Sequence, residues 1–302
     1  MSGGPDRLSE RLNRLPSLLL TLTALFWAGN TVASRLAVGE ISPFMLVFVR
    51  WLLVLGVLWP IYGRALRQHW PQVRPRLLGI VVLTTLGLTG FSALFYVAAH
   101  YTSAINIGII QGSVPIFVLA GAFIAYGTRP TLVQLAGVLI TALGVVVVAT
   151  RGAPLAILHI DFNVGDLAML AASALYATYT VGMRNRPDMP GTVFFLLLAL
   201  IAAATSLPLL VLEAVTVGTS MPTLQGLLVV AWIAIFPSFL AQVFYLRGIE
   251  LIGPGRAGVF VNLVPVFSAI LAVTLIDEPF APFHAAALAL VIGGIWLAQR
   301  TG

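Results

Sequence analysis

The chain has 302 residues, 60% of them hydrophobic and 9% charged, where a soluble domain carries about 25% charge. That excludes a soluble globular protein, because too little polar surface remains to cover so much apolar side chain. The net charge of +6 rests on sixteen arginines with no lysine; most flank apolar stretches, as topology signals do, which argues against a nucleic-acid partner. Cysteine is missing, so disulfides, thiol nucleophiles and Cys-ligated metals are excluded.

A membrane span needs roughly 20 apolar residues, and the chain offers ten such segments in order: 15–36, 42–63, 76–99, 104–126, 130–150, 164–184, 191–213, 223–247, 256–276 and 281–299. The first is too long for a signal-peptide core and runs into Arg35, so it reads as a retained span. Gly39-Glu40-Ile41-Ser42-Pro43 separates the first two. The basic stretch Arg64 to Arg76, with two prolines, reads as a loop before the third. His100-Tyr101-Thr102-Ser103 breaks the charge-free interval 77–128, and Arg151 to Asp166 is the longest polar insert. With the N-terminus in the cytoplasm, thirteen arginines fall on cytoplasmic segments, Arg35 and Arg151 fall outside, and Arg50 stays within a span. This imbalance places both termini in the cytoplasm.

The sequence repeats itself at an offset near 149. Phe95-Tyr96 matches Phe244-Tyr245, Trp27 matches Tyr176, and Arg35 matches Arg184. Gly112-Ser113-Val114-Pro115-Ile116-Phe117 matches Asn262-Leu263-Val264-Pro265-Val266-Phe267 at offset 150. Each copy holds five spans, an odd number, so the second must enter the membrane from the opposite side. The expected fold is therefore all-α and integral to the membrane: ten transmembrane helices as two inverted five-helix repeats around a central cavity. The repeats cover 15–150 and 164–302, after a cytoplasmic segment 1–14 and joined by an outer loop 151–163. Inverted repeats are a recurrent plan of secondary transporters, whose halves exchange conformations to open one site to alternate sides.

Phe26-Trp27-Ala28-Gly29-Asn30 on the first span, Phe48-Val49-Arg50-Trp51 on the second, the paired prolines Pro115 and Pro265, and Glu278-Pro279 before the last span resemble the drug/metabolite transporter superfamily, and within it the EamA family. The resemblance covers the chain from about residue 15. It departs at Gly127-Thr128-Arg129-Pro130, where the acidic residue before the fifth span is replaced. Within the family the sequence looks most like bacterial aromatic-amino-acid exporters. That implies export of amino acids, aromatic and other neutral apolar ones, from cytoplasm to periplasm across the inner membrane, through a cavity between the halves.

The candidate cavity residues are aromatic and amide: Trp27, Asn30, Tyr96, Gln111, Tyr176, Tyr179, Gln242, Tyr245 and Asn262. Amides and hydroxyls hydrogen-bond an amino acid's charged groups, and rings cover its side chain or attract its ammonium; the same residue types also serve as interfacial belt and as glue between helices. Tyr96 and Gln111 sit deepest by span position. Arg50 is the one charge well inside a span, a functional-site signal by default, open to pairing with a substrate carboxylate or to a structural role, which its place in a family-wide motif favours. Pro115 and Pro265 each interrupt a helix, as a hinge or as a static kink; Pro237 has no match in the third span. Gly108 and Gly112 read as close packing within the bundle.

No Asp or Glu lies mid-span, and His69, His100, His159 and His284 all sit near span ends or loops. Proton-coupled carriers commonly use intramembrane carboxylates or histidines, so facilitative transport is expected. No hydrolase or metal motif occurs, and no catalytic residue, metal or cofactor is expected. The remaining partners expected are the bilayer and a small substrate, with the protein a monomer. A carrier or flippase for another class (nucleotide sugar, lipid head group or drug-like cation) is the alternative.

Overall fold

The computed structural model describes residues 15–153, 163–219 and 221–299. The expected segment 1–14, most of the loop 151–163 with His159, and the last three residues lie outside them. The described residues form fourteen α-helices. The first seven are α1 (Pro16–Leu36), α2 (Pro43–Val73), α3 (Leu77–Thr84), α4 (Phe91–Ala98), α5 (Ala104–Gln111), α6 (Val114–Tyr126) and α7 (Leu132–Ala149). The second seven are α8 (Val164–Gly182), α9 (Gly191–Thr216), α10 (Leu224–Ile233), α11 (Ala241–Ile252), α12 (Pro254–Val261), α13 (Val264–Ile276) and α14 (Pro282–Gln299). A π-helical turn, Thr85–Gly90, joins α3 to α4, and another, Ala234–Leu240, joins α10 to α11.

The repeat is thus written in the backbone. Helices α5, α6 and α7 recur as α12, α13 and α14, and their first and last residues keep the offset of the two proline motifs. The π turns recur at nearly the same interval. So do the left-handed residues that close α6 and α13, Gly127 (φ 66°) and Asp277 (φ 51°). Local chemistry sets several starts. Ser103, Asn163 and Thr223 accept from backbone N–H groups at the N-termini of α5, α8 and α10. Thr131 and Gln134 form a reciprocal capping box at α7.

Two features differ from the sequence reading. Arg64–Arg76 is not a loop: α2 continues to Val73, and a 3₁₀ turn, Arg74–Arg76, leads into α3. The stretch is amphipathic at helical spacing, with Gly63, Leu66 and Val73 buried while Arg64, Arg67 and Arg74 face outward. Second, Pro115 and Pro265 do not lie inside helices. The helices break before them, at Gly112-Ser113 and Asn262-Leu263, and each proline sits in the first turn of the next helix. There its missing N–H costs nothing, because first-turn donors have no intrahelical partner.

Among the described residues, nine helical runs are long and apolar enough to cross a membrane. The run Pro43–Ala98 has 56 residues, about 84 Å of helix against a hydrocarbon core of about 30 Å. The molecule's outer surface is apolar, with Leu78, Ile124 and Leu132 each about 80% exposed or more, as a lipid-facing surface requires. Hydroxyls within the helices bond back to carbonyls one turn earlier, as Thr23 does to Leu19 and Ser173 to Met169.

The halves are interleaved rather than side by side. Helix α1 packs on α11 and α13 of the second half, and its counterpart α8 packs on α4 and α6 of the first. Equivalent helices also pair directly, α2 with α9 and α7 with α14. The α7–α14 contact runs backbone to backbone: a Cβ on Gly137 would stand 2.5 Å from the carbonyl oxygen of Gly294, so neither position has room for a side chain.

Candidate functional site

Interleaving leaves a cavity of about 190 Å³ where the two halves meet. From the first half, Trp27 and Asn30 of α1, Arg50 and Trp51 of α2, Phe91 and Ser92 of α4, and Gln111 at the end of α5 line it. From the second, Tyr176 and Tyr179 of α8, Phe195 and Leu198 of α9, Ser238 of the π turn, Gln242 of α11, and Asn262 after α12 complete the wall. Pro115 and Pro265 border it from the two broken helices. The breaks bring helix ends, and so backbone polar groups, to the cavity edge, a setting where irregular backbone is tolerated at membrane depth.

Arg50 organises one wall. Its Nε donates to Ser238 Oγ at 2.6 Å, and its Nη1 donates to Tyr96 Oη at 2.8 Å and Ser92 Oγ at 3.4 Å. Ser238 passes the bond on to the Ile233 carbonyl, five residues back, so the π turn is what aims this hydroxyl at the guanidinium. Tyr96 Oη in turn donates to Asn30 Oδ1 at 3.0 Å. The guanidinium lies over the Trp51 ring, 4.8 Å from its centroid. Arg50 is therefore held by side chains of two other elements, α4 and the second π turn, not by backbone carbonyls. Among the described residues its Nη2 has no partner, and neither do the Trp51 ring N–H and the Gln111 side-chain oxygen.

The remaining walls are aromatic. Trp27 packs on Tyr245, with ring centroids 5.1 Å apart, and donates through Nε1 to the Pro237 carbonyl. Phe91 meets Tyr176, which meets Tyr179, at 5.2 and 5.8 Å. Tyr179 lies where Gly87 of the first π turn leaves space, since a Cβ there would fall 2.0 Å from Tyr179 Cβ. Of the expected cavity residues, seven line the space; Tyr96 stands behind Arg50, 2% exposed, and Tyr245 stands behind Trp27. The Asn262 amide reaches Gln299 on α14. The Gly108–Gly112 pair packs inside the bundle, Gly108 against Ser268 of α13 and Gly112 against Val291 of α14.

Sequence reasoning passed over Ser92, Ser238, Phe91, Phe195 and Leu198. Ser92 carried a usable signal, because it lies one helical turn before Tyr96 and so shares its face. Ser238 carried none beyond adjacency to Pro237, since its direction depends on the π turn.

Comparison with known proteins follows the same division of the chain. The model of the EamA-like transporter family matches twice, over residues 14–150 and 163–299. The uncharacterized transporter YyaM of Bacillus subtilis is 29% identical over 238 residues, covering 76% of this chain and 75% of its own. An uncharacterized transporter of Archaeoglobus fulgidus is 28% identical and covers 95% of this chain and 98% of its own. The uncharacterized inner membrane transporter YedA of Escherichia coli is 25% identical over 291 residues, covering 95% and 92%. A crystal structure with a TM-score of 0.63 and 22% identity covers 94% of this chain and 96% of its own, a likeness of fold.

Proposed function

Because the chain belongs to the EamA-like transporter family and is a multi-pass membrane transporter, we propose that it exports amino acids, aromatic and other neutral apolar ones, from cytoplasm to periplasm by facilitative alternating access. The observation that carries this reading is the composition of the cavity wall. Among the described lining residues Arg50 is the one charged side chain, no carboxylate faces it, and the rest are aromatic, amide, hydroxyl or aliphatic. A guanidinium with a free Nη2 suits a substrate carboxylate; ring faces suit an ammonium and an apolar side chain. The cavity is smaller than the about 300 Å³ at which drug-sized sites begin, which favours a small metabolite over a nucleotide sugar or lipid head group. The missing carboxylate disfavours a drug-like cation.

In this reading the 56-residue run divides at the Arg74–Arg76 turn. The protein then makes ten crossings, five per half, and the second half is inverted. The arginine bias puts both termini in the cytoplasm of a bacterium and the protein in its inner membrane. Nine polar and aromatic candidates then divide into seven that face substrate and two, Tyr96 and Tyr245, that hold Arg50 and Trp27 in place.

Counterflow in proteoliposomes tests the substrate class. Labelled phenylalanine is expected to exchange, with competition from other neutral apolar amino acids and none from phenethylamine, which keeps the ring and ammonium but has no carboxylate. Exchange of a nucleotide sugar or lipid head group with none of any amino acid overturns the class. Accumulation against the substrate gradient, driven by a proton gradient alone, overturns the facilitative part.

A further inference from the structure

The helix bounds repeat from one half to the other, and so do the contacts of α1 and α8, but one pair of helix contacts does not. At one end of the molecule α5 packs closely on α13; the equivalent pair, α12 and α6, has no comparable contact. Gly108 of α5 is pressed against Ser268, where a Cβ would stand 2.4 Å from the serine Cβ. Its counterpart in the second half, Gly258 of α12, faces open space. One end is therefore closed and the other open.

Glu278 sits at the closed end. Its carboxylate accepts from the first two N–H groups of α5, those of Ala104 at 2.8 Å and Ile105 at 3.1 Å. Arg35, which also donates to the Ala99 carbonyl, stands 3.7 Å away. One carboxylate thus ties the α13–α14 turn to the start of α5, stabilised by the helix dipole and a cation. At the open end each part of this arrangement is changed. The counterpart of Glu278 is Thr128. The counterpart of Ala104 is Pro254, which has no N–H to donate. The counterpart of Arg35 is Arg184, whose guanidinium rests on the Tyr126 ring, 4.9 Å from its centroid.

We infer that Glu278 is a one-sided latch: it holds the α5–α13 end closed through the N-terminus of α5, and the lack of an equivalent at the α6–α12 end biases the resting protein toward opening there. With the orientation proposed above, the closed end is periplasmic and the resting protein faces the cytoplasm, ready to take up cargo for export. The inference rests on the alternating-access reading. It adds to it a residue that sets the balance between states without touching substrate.

The chain has no cysteine, so single reporters need no background removal. S268C reads the closed end and V261C, on the cavity side of α12, reads the open one. Purified protein in nanodiscs exposes both faces to a water-soluble maleimide. With native Glu278, V261C is expected to react fast and S268C slowly. Glu278→Gln, which keeps the shape but loses the charge, is expected to raise the S268C rate about tenfold, with a matching fall at V261C. Thr128→Glu with Pro254→Ala rebuilds the latch on the other side. It is expected to slow V261C and speed S268C, an outcome that general destabilisation would not give and that stands alone should Glu278→Gln fail to fold. Unchanged rates in either latch variant overturn the latch. A rise at S268C with no fall at V261C keeps the latch but overturns alternating access, because the two ends would then open independently.

Discussion

At position 278 the second half of the molecule places a carboxylate, and at 128, the same place in the first half, stands a threonine. The cavity shows the reverse division. The first half contributes Arg50, and the matching stretch of α9, Leu198-Ala199, is apolar. Helices α5 to α7 share their bounds with α12 to α14 residue for residue while the chemistry is divided, with the cavity's one charged side chain in one half and the carboxylate that caps α5 in the other. A duplicated fold needs both copies to bend alike, but a single cavity needs one anchor, and a directional resting state needs one latch. The comparison can be broken by making the halves more alike.

The largest effect is expected from Arg50→Leu, which gives α2 the residue type of its counterpart. It removes three hydrogen bonds, to Ser238, Ser92 and Tyr96, and the charge offered to a carboxylate. Charge-assisted bonds are worth about 1.5–3 kcal/mol each, so phenylalanine counterflow should fall about a hundredfold or more. Arg50→Lys keeps the charge without the planar fork and should recover little. Counterflow near the native rate in Arg50→Leu would remove the anchor from the substrate reading and leave Arg50 a structural group.

A smaller and more local effect separates the two ends. Gly108→Val places a side chain where Ser268 already stands, whereas Gly258→Val enters open space. Overpacking costs about 1–3 kcal/mol. The first variant should lower the melting temperature by several degrees and speed S268C labelling, while the second should leave the melting temperature near its native value. It should nevertheless slow counterflow, since closing the other end requires Gly258 to approach α13's counterpart α6. Equal melting temperatures for the two would contradict the one-sided closure.

Much of this was legible in the sequence, and the parts that were not have a common cause. Span positions and the internal repeat follow from apolar run length and from matched pairs such as Phe95-Tyr96 and Phe244-Tyr245, signals carried by residue type alone. The Trp27, Gln111, Tyr176 and Gln242 wall was legible because polar and aromatic side chains are costly facing lipid. Ser238 was not, because its direction depends on a π turn that shifts hydrogen bonding by one residue, and the partnership of Arg50 with Tyr96 was not, because it joins two helices 46 residues apart in the chain. Proline marks only one of the two π turns: Pro237 lies in Ala234–Leu240, and Thr85–Gly90 has none. The helical run through Arg64–Arg76 was hidden by Pro71 and Pro75, of which the helix accommodates the first and the 3₁₀ turn the second. The role of Glu278 needed the fold, since its donors, Ala104 and Ile105, lie in the other half of the chain.

The smallest effect concerns a second carboxylate that caps a helix at the closed end. Glu213, near the end of α9, accepts from Ser42 Oγ at 2.6 Å and stands 3.3 Å from the backbone N–H groups of Phe44 and Met45 at the start of α2. It resembles Glu278 in capping a helix from the other half, but it joins α2 to α9, a pair already packed along its length and buttressed by Trp51 on Phe195. A latch matters where the elements it joins separate during the cycle; a cap between elements that stay together adds only stability. Glu213→Gln should therefore cost about 1 kcal/mol, in the range of a lost helix cap, seen as a drop of a few degrees in melting temperature. S268C and V261C labelling rates should stay at their native values. A shift in those rates as large as that from Glu278→Gln would mean that α2 and α9 also part during the cycle, and that closure at this end is shared between two carboxylates.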